Sequence, residues 1–186
     1  MNLTRRHFIG SSAVAVTVAG MKAQGVVLGS NNRIRVCTVG FNGQGSSHIK
    51  DILGTLKADA EYVALCDVDA NVRAKGAKLV TDAQGKAPKL YADMREAFQQ
   101  KDIDVVTIAT PNHWHSLAAV WAMQAGKDVY VEKPMSHNIY EGQQVAAAAK
   151  KYNRVVQHGT QSRSNATLIR DMKLIHSGFI GKIIES

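Results

Sequence analysis

Val36-Cys37-Thr38-Val39-Gly40-Phe41-Asn42-Gly43-Gln44-Gly45 is the stretch whose reading decides the fold. A short apolar strand runs into a turn with glycine at Gly40, Gly43 and Gly45. From Gln44 to Lys57, Ile49, Ile52, Leu53 and Leu56 recur at helical spacing on one face. Tyr62 to Asp67 then reads as a second strand, ending in a carboxylate 22 residues after Gly45. Strand, glycine turn, helix and strand make a βαβ unit with a mechanism. Gly40 allows the tight turn, and Gly43 and Gly45 let main chain approach a diphosphate and let the helix pack on the sheet. The N–H groups where the helix starts, Gln44 among them, point at the phosphates. The common spacing is G-x-G-x-x-G; here Asn42 stands at the middle position, with Gly43 next. Asparagine tolerates unusual backbone angles better than most residues. Asp67 is placed to accept hydrogen bonds from the adenosine ribose and to repel a 2′-phosphate, which favours NAD over NADP. Arg73, close in sequence, argues the other way.

Outward from this unit, strands and helices alternate. Arg33 to Val39 is the first strand. Ala70 to Gln84 is a more polar helix, Lys89 to Tyr91 a short strand, and Met94 to Gln100 a short helix with Asp93 placed to cap it. Asp104 to Thr110 is almost entirely apolar, as a strand covered on both faces should be. His113 to Ala125 reads as a helix burying Leu117, Val120 and Trp121, and Asp128 to Val131 as the next strand. Asn138 and Glu141 have capping-box spacing before a helix that turns Val145, Ala148, Ala149 and Tyr152 inward. Arg154 to Gln157 is the sixth strand. The alternation predicts an α/β fold, a doubly wound parallel sheet with helices on both faces. Beyond Gln157 the pattern changes: 159–165 is polar, Leu168, Ile169, Met172 and Ile175 face one side of a further helix, and Lys182 to Ser186 begins a strand. The expected organisation is a leader over 1–25, a dinucleotide-binding domain over 32–158, and over 159–186 a crossover and the start of a second α/β domain, cut short.

Composition narrows the function classes. At 45% hydrophobic residues the chain should be globular. The formal charge is +8, and the first 23 residues contribute Arg5, Arg6 and Lys22 without any acid. The remaining surplus is modest and spread out, so it suits an anionic cofactor and not a nucleic acid. Two cysteines, Cys37 and Cys66, fall in strands and read as small buried hydrophobes, not as a disulfide framework. Thr4-Arg5-Arg6-His7-Phe8-Ile9, the apolar run Ala13 to Ala19 and the small residues near Gly20 to Gly25 make an export signal. The paired arginines followed by Phe8 resemble a bacterial twin-arginine signal, whose machinery exports folded, cofactor-bearing proteins. The expected location is the periplasm or another exported compartment.

Two later segments carry chemistry. Thr110-Pro111-Asn112-His113-Trp114-His115 sits at the carboxyl end of the fourth strand, where ligands lie in open α/β sheets. His113 and His115 do not share a helix face, and neither a carboxylate nor a third histidine is spaced to join them, so no metal site is expected. Lys133, in Glu132-Lys133-Pro134, follows the fifth strand. Partly desolvated there it could exchange a proton with a substrate hydroxyl; the alternative is a surface lysine before a proline turn.

Taken in order, the glycine turn, Cys66-Asp67-Val68-Asp69, Thr110 to His115 and Glu132-Lys133-Pro134 resemble the Gfo/Idh/MocA oxidoreductases, over about Arg33 to Ser186. The resemblance implies a Rossmann domain with NAD as cofactor and Lys133 as the catalytic residue beside the nicotinamide. It places Thr110, Pro111, Asn112 and His115 on the cofactor pocket, with Glu132 and Pro134 shaping the lysine turn and approaching the cofactor. Gln161 and Arg163 resemble the crossover segment that enters the substrate site. The family's second domain carries further catalytic residues and much of the interface of a homo-oligomer.

Three functions follow. The first is a periplasmic NAD-dependent oxidoreductase of a sugar, cyclitol or polyol, a small-molecule substrate. The second is a glycosidase that oxidises its substrate transiently with bound NAD. The third is a dinucleotide-binding module without turnover.

Overall fold

A computed structural model describes residues 33–182 and 184. The leader over 1–25, and most of the strand expected over Lys182 to Ser186, lie outside the described residues. Six strands, β1 (Ile34–Val39), β2 (Ala60–Cys66), β3 (Lys89–Tyr91), β4 (Val105–Ile108), β5 (Asp128–Val131) and β6 (Val156–His158), form one sheet in the order β3-β2-β1-β4-β5-β6. Every pairing is parallel. The connections carry α1 (Gln44–Thr55), α2 (Ala70–Gln84), α3 (Met94–Phe98), α4 (His115–Gln124) and α5 (Ile139–Tyr152). This is the doubly wound arrangement the alternation predicts. The chain reverses direction across the sheet between β1 and β4, a switch point that opens a crevice at the carboxyl ends of the strands.

The strands are apolar because both faces are covered. Cys37, Val39, Val106, Ile108 and Val131 are all at most 2% exposed. Polar groups at this depth are paired: Thr38 Oγ1 lies 2.7 Å from Thr107 Oγ1 and 3.0 Å from the Tyr62 hydroxyl, tying β1, β2 and β4 together. Burial pushes the Tyr62 phenol well above its ordinary value. The Arg35 guanidinium makes a two-pronged pair with Asp104, which fixes the start of β4 beside β1.

Several expected boundaries move. β4 is shorter than 104–110, because the chain leaves the sheet before Pro111, which has no N–H to donate. After it comes a 3-10 turn, Asn112–Trp114, and α4 begins only at His115. Leu117 is not buried by α4: it is 42% exposed, whereas Ala118, Ala119, Ala122 and Met123 are fully buried. Small alanines let this helix lie close on the sheet and on α5, and that contact turns Leu117 outward. β6 falls at Val156–His158, two residues later than its expected start.

The described residues from Arg33 through Gly159 belong to one compact unit and those from Thr160 onward to another. In the second unit, a 3-10 turn (Gln161–Ser164) precedes α6 (Ala166–His176), whose first amides are capped by the Asn165 side chain. Among the described residues no helix is long and apolar enough to cross a membrane.

Candidate cofactor and active site

The glycine turn is built by close approach. Gly40 has φ +75, and a Cβ there would stand 2.8 Å from the Thr110 Cα, so only glycine lets β1 turn this tightly beside the end of β4. A Cβ on Gly45 would stand 2.1 Å from the Gly40 carbonyl oxygen. At Gly43 the situation is opposite: a Cβ there would meet nothing within 4 Å. Gly40 and Gly45 therefore shape the turn, and Gly43 leaves its main chain open to a ligand. The start of α1 is also open in another sense. Asp69, Asp93 and Asn138 cap α2, α3 and α5 with side-chain oxygens, but Gly43 offers α1 none, and its first turn holds no acidic residue. Uncapped N–H groups and a positive helix end suit an anion. Asn42 and Gln44 flank this opening and are exposed.

Asp67 follows β2 beside the turn. Its Oδ2 accepts the Phe41 N–H at 2.9 Å and its Oδ1 accepts the Asp69 N–H at 3.0 Å. Each carboxylate oxygen keeps a lone pair for a ribose hydroxyl. Asp67 lines a cleft of about 430 Å³ together with Gly40, Thr110, Pro111, Trp114 and Arg95. That volume lies in the range of small-molecule sites. Sequence reading assigned neither Trp114 nor Arg95 to a site; the signal for Arg95 was the sheet order, which sets the end of β3 next to Asp67. Burial pushes the neighbouring Cys66 thiol up to about 12.

The lysine turn is held from beneath. Glu132 is 4% exposed; its Oε1 lies 2.9 Å from His48 Nε2 and its Oε2 accepts the Lys133 N–H at 3.1 Å. His48 comes from α1 and meets Tyr130 edge to face at 5.2 Å. The glycine helix and the lysine turn are thereby joined through one buried pair. His48 escaped sequence reading, although it lies one turn past Gly45 on the inward face with Ile49. Gly159 packs closely here as well: a Cβ would stand 3.0 Å from the Tyr130 hydroxyl and 3.2 Å from the Glu132 Cα. Lys133 is exposed, so the structure shows the surface lysine before a proline turn and not the partial desolvation expected for it.

His115 is 1% exposed, and its ring is taken up by main chain: Nδ1 lies 2.7 Å from the Pro134 carbonyl and Nε2 2.8 Å from that of Thr110. It positions the Thr110 segment against the lysine turn, which differs from a direct cofactor contact. Asn112 and His113 are exposed on the 3-10 turn. Gln161 and Arg163 lie on the 3-10 turn of the second unit, exposed. Among the described residues no group of three or more His, Cys, Asp or Glu is placed to hold a metal.

Asp67, Gly40, Thr110 and Lys133 thus follow the carboxyl ends of β2, β1, β4 and β5, which are consecutive in the sheet. Three strand spacings put roughly 14 Å between the two ends of the row. A carboxylate, an open main-chain turn and a lysine in this order define a dinucleotide-binding domain of the oxidoreductase class. The family comparison agrees. Residues 34–160 match the model of the Gfo/Idh/MocA oxidoreductase family, NAD-binding Rossmann fold, and the chain belongs to that family. NAD is accordingly its cofactor.

The chain is 28% identical to a glycosyl hydrolase family 109 protein of Shewanella pealeana, over 99% of this chain and 45% of that protein. It is 34% identical to inositol 2-dehydrogenase of Salmonella typhimurium, over 77% of this chain and 42% of that one. Among solved structures, the WlbA dehydrogenase of Bordetella pertussis in complex with NADH and UDP-GlcNAcA superimposes with a TM-score of 0.67 at 27% identity. That match covers 78% of this chain and 43% of the other. The chain spans less than half the length of these relatives.

Proposed function

We propose that the protein is an NAD-dependent oxidoreductase acting on a sugar, cyclitol or related polyol. The observation that carries this reading is the row from Asp67 through Gly40 and Thr110 to Lys133 along one edge of the sheet. The inositol dehydrogenase relative supports the substrate class. Bound NAD would supply a hydride acceptor. The chain's own residues bind and orient. The Gly43 main chain and the start of α1 face the diphosphate, Asp67 takes the ribose, and the His48–Glu132 pair holds the Lys133 backbone. Lys133 Nζ takes the hydroxyl proton as the carbinol C–H bond breaks and the C=O bond forms. Asn42, Gln44, Pro111, Asn112 and Pro134 border the cofactor, and Gln161 and Arg163 serve the substrate in this reading. The paired Arg5 and Arg6 support export through the twin-arginine machinery; lysine at both positions should leave the protein in the cytoplasm, and unchanged export would refute that route.

The glycosyl hydrolase relative, matched over 99% of this chain, favours a second reading: a glycosidase in which NAD is oxidant and then reductant within one turnover. One experiment separates them. The purified protein is titrated with NADH, then assayed with polyols in the presence of excess NAD+ and with aryl glycosides. Polyol-dependent accumulation of NADH supports the dehydrogenase, and glycoside cleavage without net NADH supports the second reading. In either case Lys133→Ala should cut kcat by about 10²- to 10⁴-fold with NADH affinity kept. Full turnover by Lys133→Ala would remove Lys133 from the chemistry.

A further inference from the structure

Next to Asp67 the cleft wall carries an ion pair to which the reading above gives no task. β3 lies beside β2, and the Asp67 N–H donates to the Tyr91 carbonyl at 3.1 Å. Two residues past Tyr91, Asp93 caps α3 by accepting the Arg95 N–H at 2.8 Å. The Arg95 side chain folds back onto the same carboxylate: Nε lies 3.0 Å from both Asp93 oxygens, and Nη2 also bonds Oδ2. Asp93 and Arg95 both line the cleft with Asp67 and Val68. The other guanidinium at this end, Arg73, donates Nη1 to the Asp67 carbonyl oxygen at 2.5 Å. Guanidinium groups are the side chains that bind a 2′-phosphate in dinucleotide sites. Two stand within reach of the Asp67 end of the cleft, and each is engaged.

We propose that Asp93 is a specificity-determining residue: by holding Arg95 in a two-pronged pair it withholds the guanidinium that would otherwise accept a 2′-phosphate. The preference for NAD over NADP then rests on Asp93 as well as on Asp67. The inference depends on NAD occupying this cleft, as proposed above. The pair is exposed to solvent, with Arg95 67% accessible, so Arg95 is free to swing to a better anion once the carboxylate charge is gone. The Asp93 carboxyl is held at about 2 by Arg95, so the restraining charge persists throughout the neutral range.

The test uses the purified protein and binding alone. NADH and NADPH are titrated by fluorescence into the wild type, Asp67→Ser, Asp67→Ser/Asp93→Asn, and that double variant with Arg95→Ala. Asparagine keeps the helix cap while removing the charge, and Asp93→Ser is a second capping substitution should the first unfold. Adding Asp93→Asn to Asp67→Ser should tighten NADPH by about tenfold with little change for NADH, the worth of one charge-assisted contact. Arg95→Ala should abolish that gain. An unchanged NADPH-to-NADH ratio on adding Asp93→Asn or Asp93→Ser, or a gain that survives Arg95→Ala, overturns the proposal and leaves the NAD reading intact. Failure of the wild type to bind NADH overturns the NAD reading itself, and this proposal with it.

Discussion

At the scale of single residues, glycines with different surroundings perform different work. Gly45 is crowded by the Gly40 carbonyl, an atom of rigid main chain that cannot step aside. Gly45→Ala should therefore cost ~1–3 kcal/mol of stability, as overpacking does. The displaced turn should also lose most of its NADH affinity; urea unfolding and NADH titration check both halves. A variant with wild-type stability would show that the contact relaxes without strain. His48 illustrates a different kind of residue. It touches no crevice wall in the cleft around Asp67, yet its bond to Glu132 links the helix that follows the glycine turn to the turn that carries Lys133. Sequence reading found the glycines because their spacing is local. It missed His48 because the partner is 84 positions away.

At the scale of elements, caps decide where helices begin. Asn138 accepts the Glu141 N–H at 2.9 Å, and Glu141 reaches back to the His137 N–H at 3.0 Å. The capping spacing in the sequence is realised one residue off, with the return bond going to the residue before the cap. Asn138→Ala should lower stability by about 1 kcal/mol, read as a shifted midpoint in chemical denaturation with unchanged cofactor binding. No shift would mean that the lysine turn and α5 are held by packing alone. α4 shows where element-level reading fails. Its helical period is correct, but the choice of inward face went to Leu117 when the sheet and α5 required alanine. Hydropathy ranks side chains by transfer, whereas a close helix–sheet contact ranks them by size.

At the scale of the whole molecule, burial sets the state of the two thiols. Cys37 and Cys66 are 0% and 2% exposed, and burial raises both thiols above their ordinary 9.0, Cys66 to about 12. Neither should react with iodoacetamide at pH 8 in the folded protein, and both should react after denaturation. Because the unfolded chain ionises Cys66 first, its contribution to stability is complete below about pH 9 and is lost as the pH climbs toward 12. Native-state labelling at the rate of a free thiol would show that the sheet opens at the cleft.

The strand–helix alternation, the glycine turn and the carboxylate at Asp67 were legible in the chain itself, because they depend on neighbours a few positions apart and on the helix and strand periods of about 3.6 and 2.0. Those local patterns determined the parallel sheet and the tight glycine turn at the end of its first strand. Tertiary structure alone decided that Asp67, Gly40, Thr110 and Lys133 stand in one row, that Arg95 faces Asp93 at the edge of that row, and that His48 reaches Glu132. Strand order and long-range hydrogen bonds are products of the assembled sheet, and no spacing within the chain encodes which strand will lie beside which.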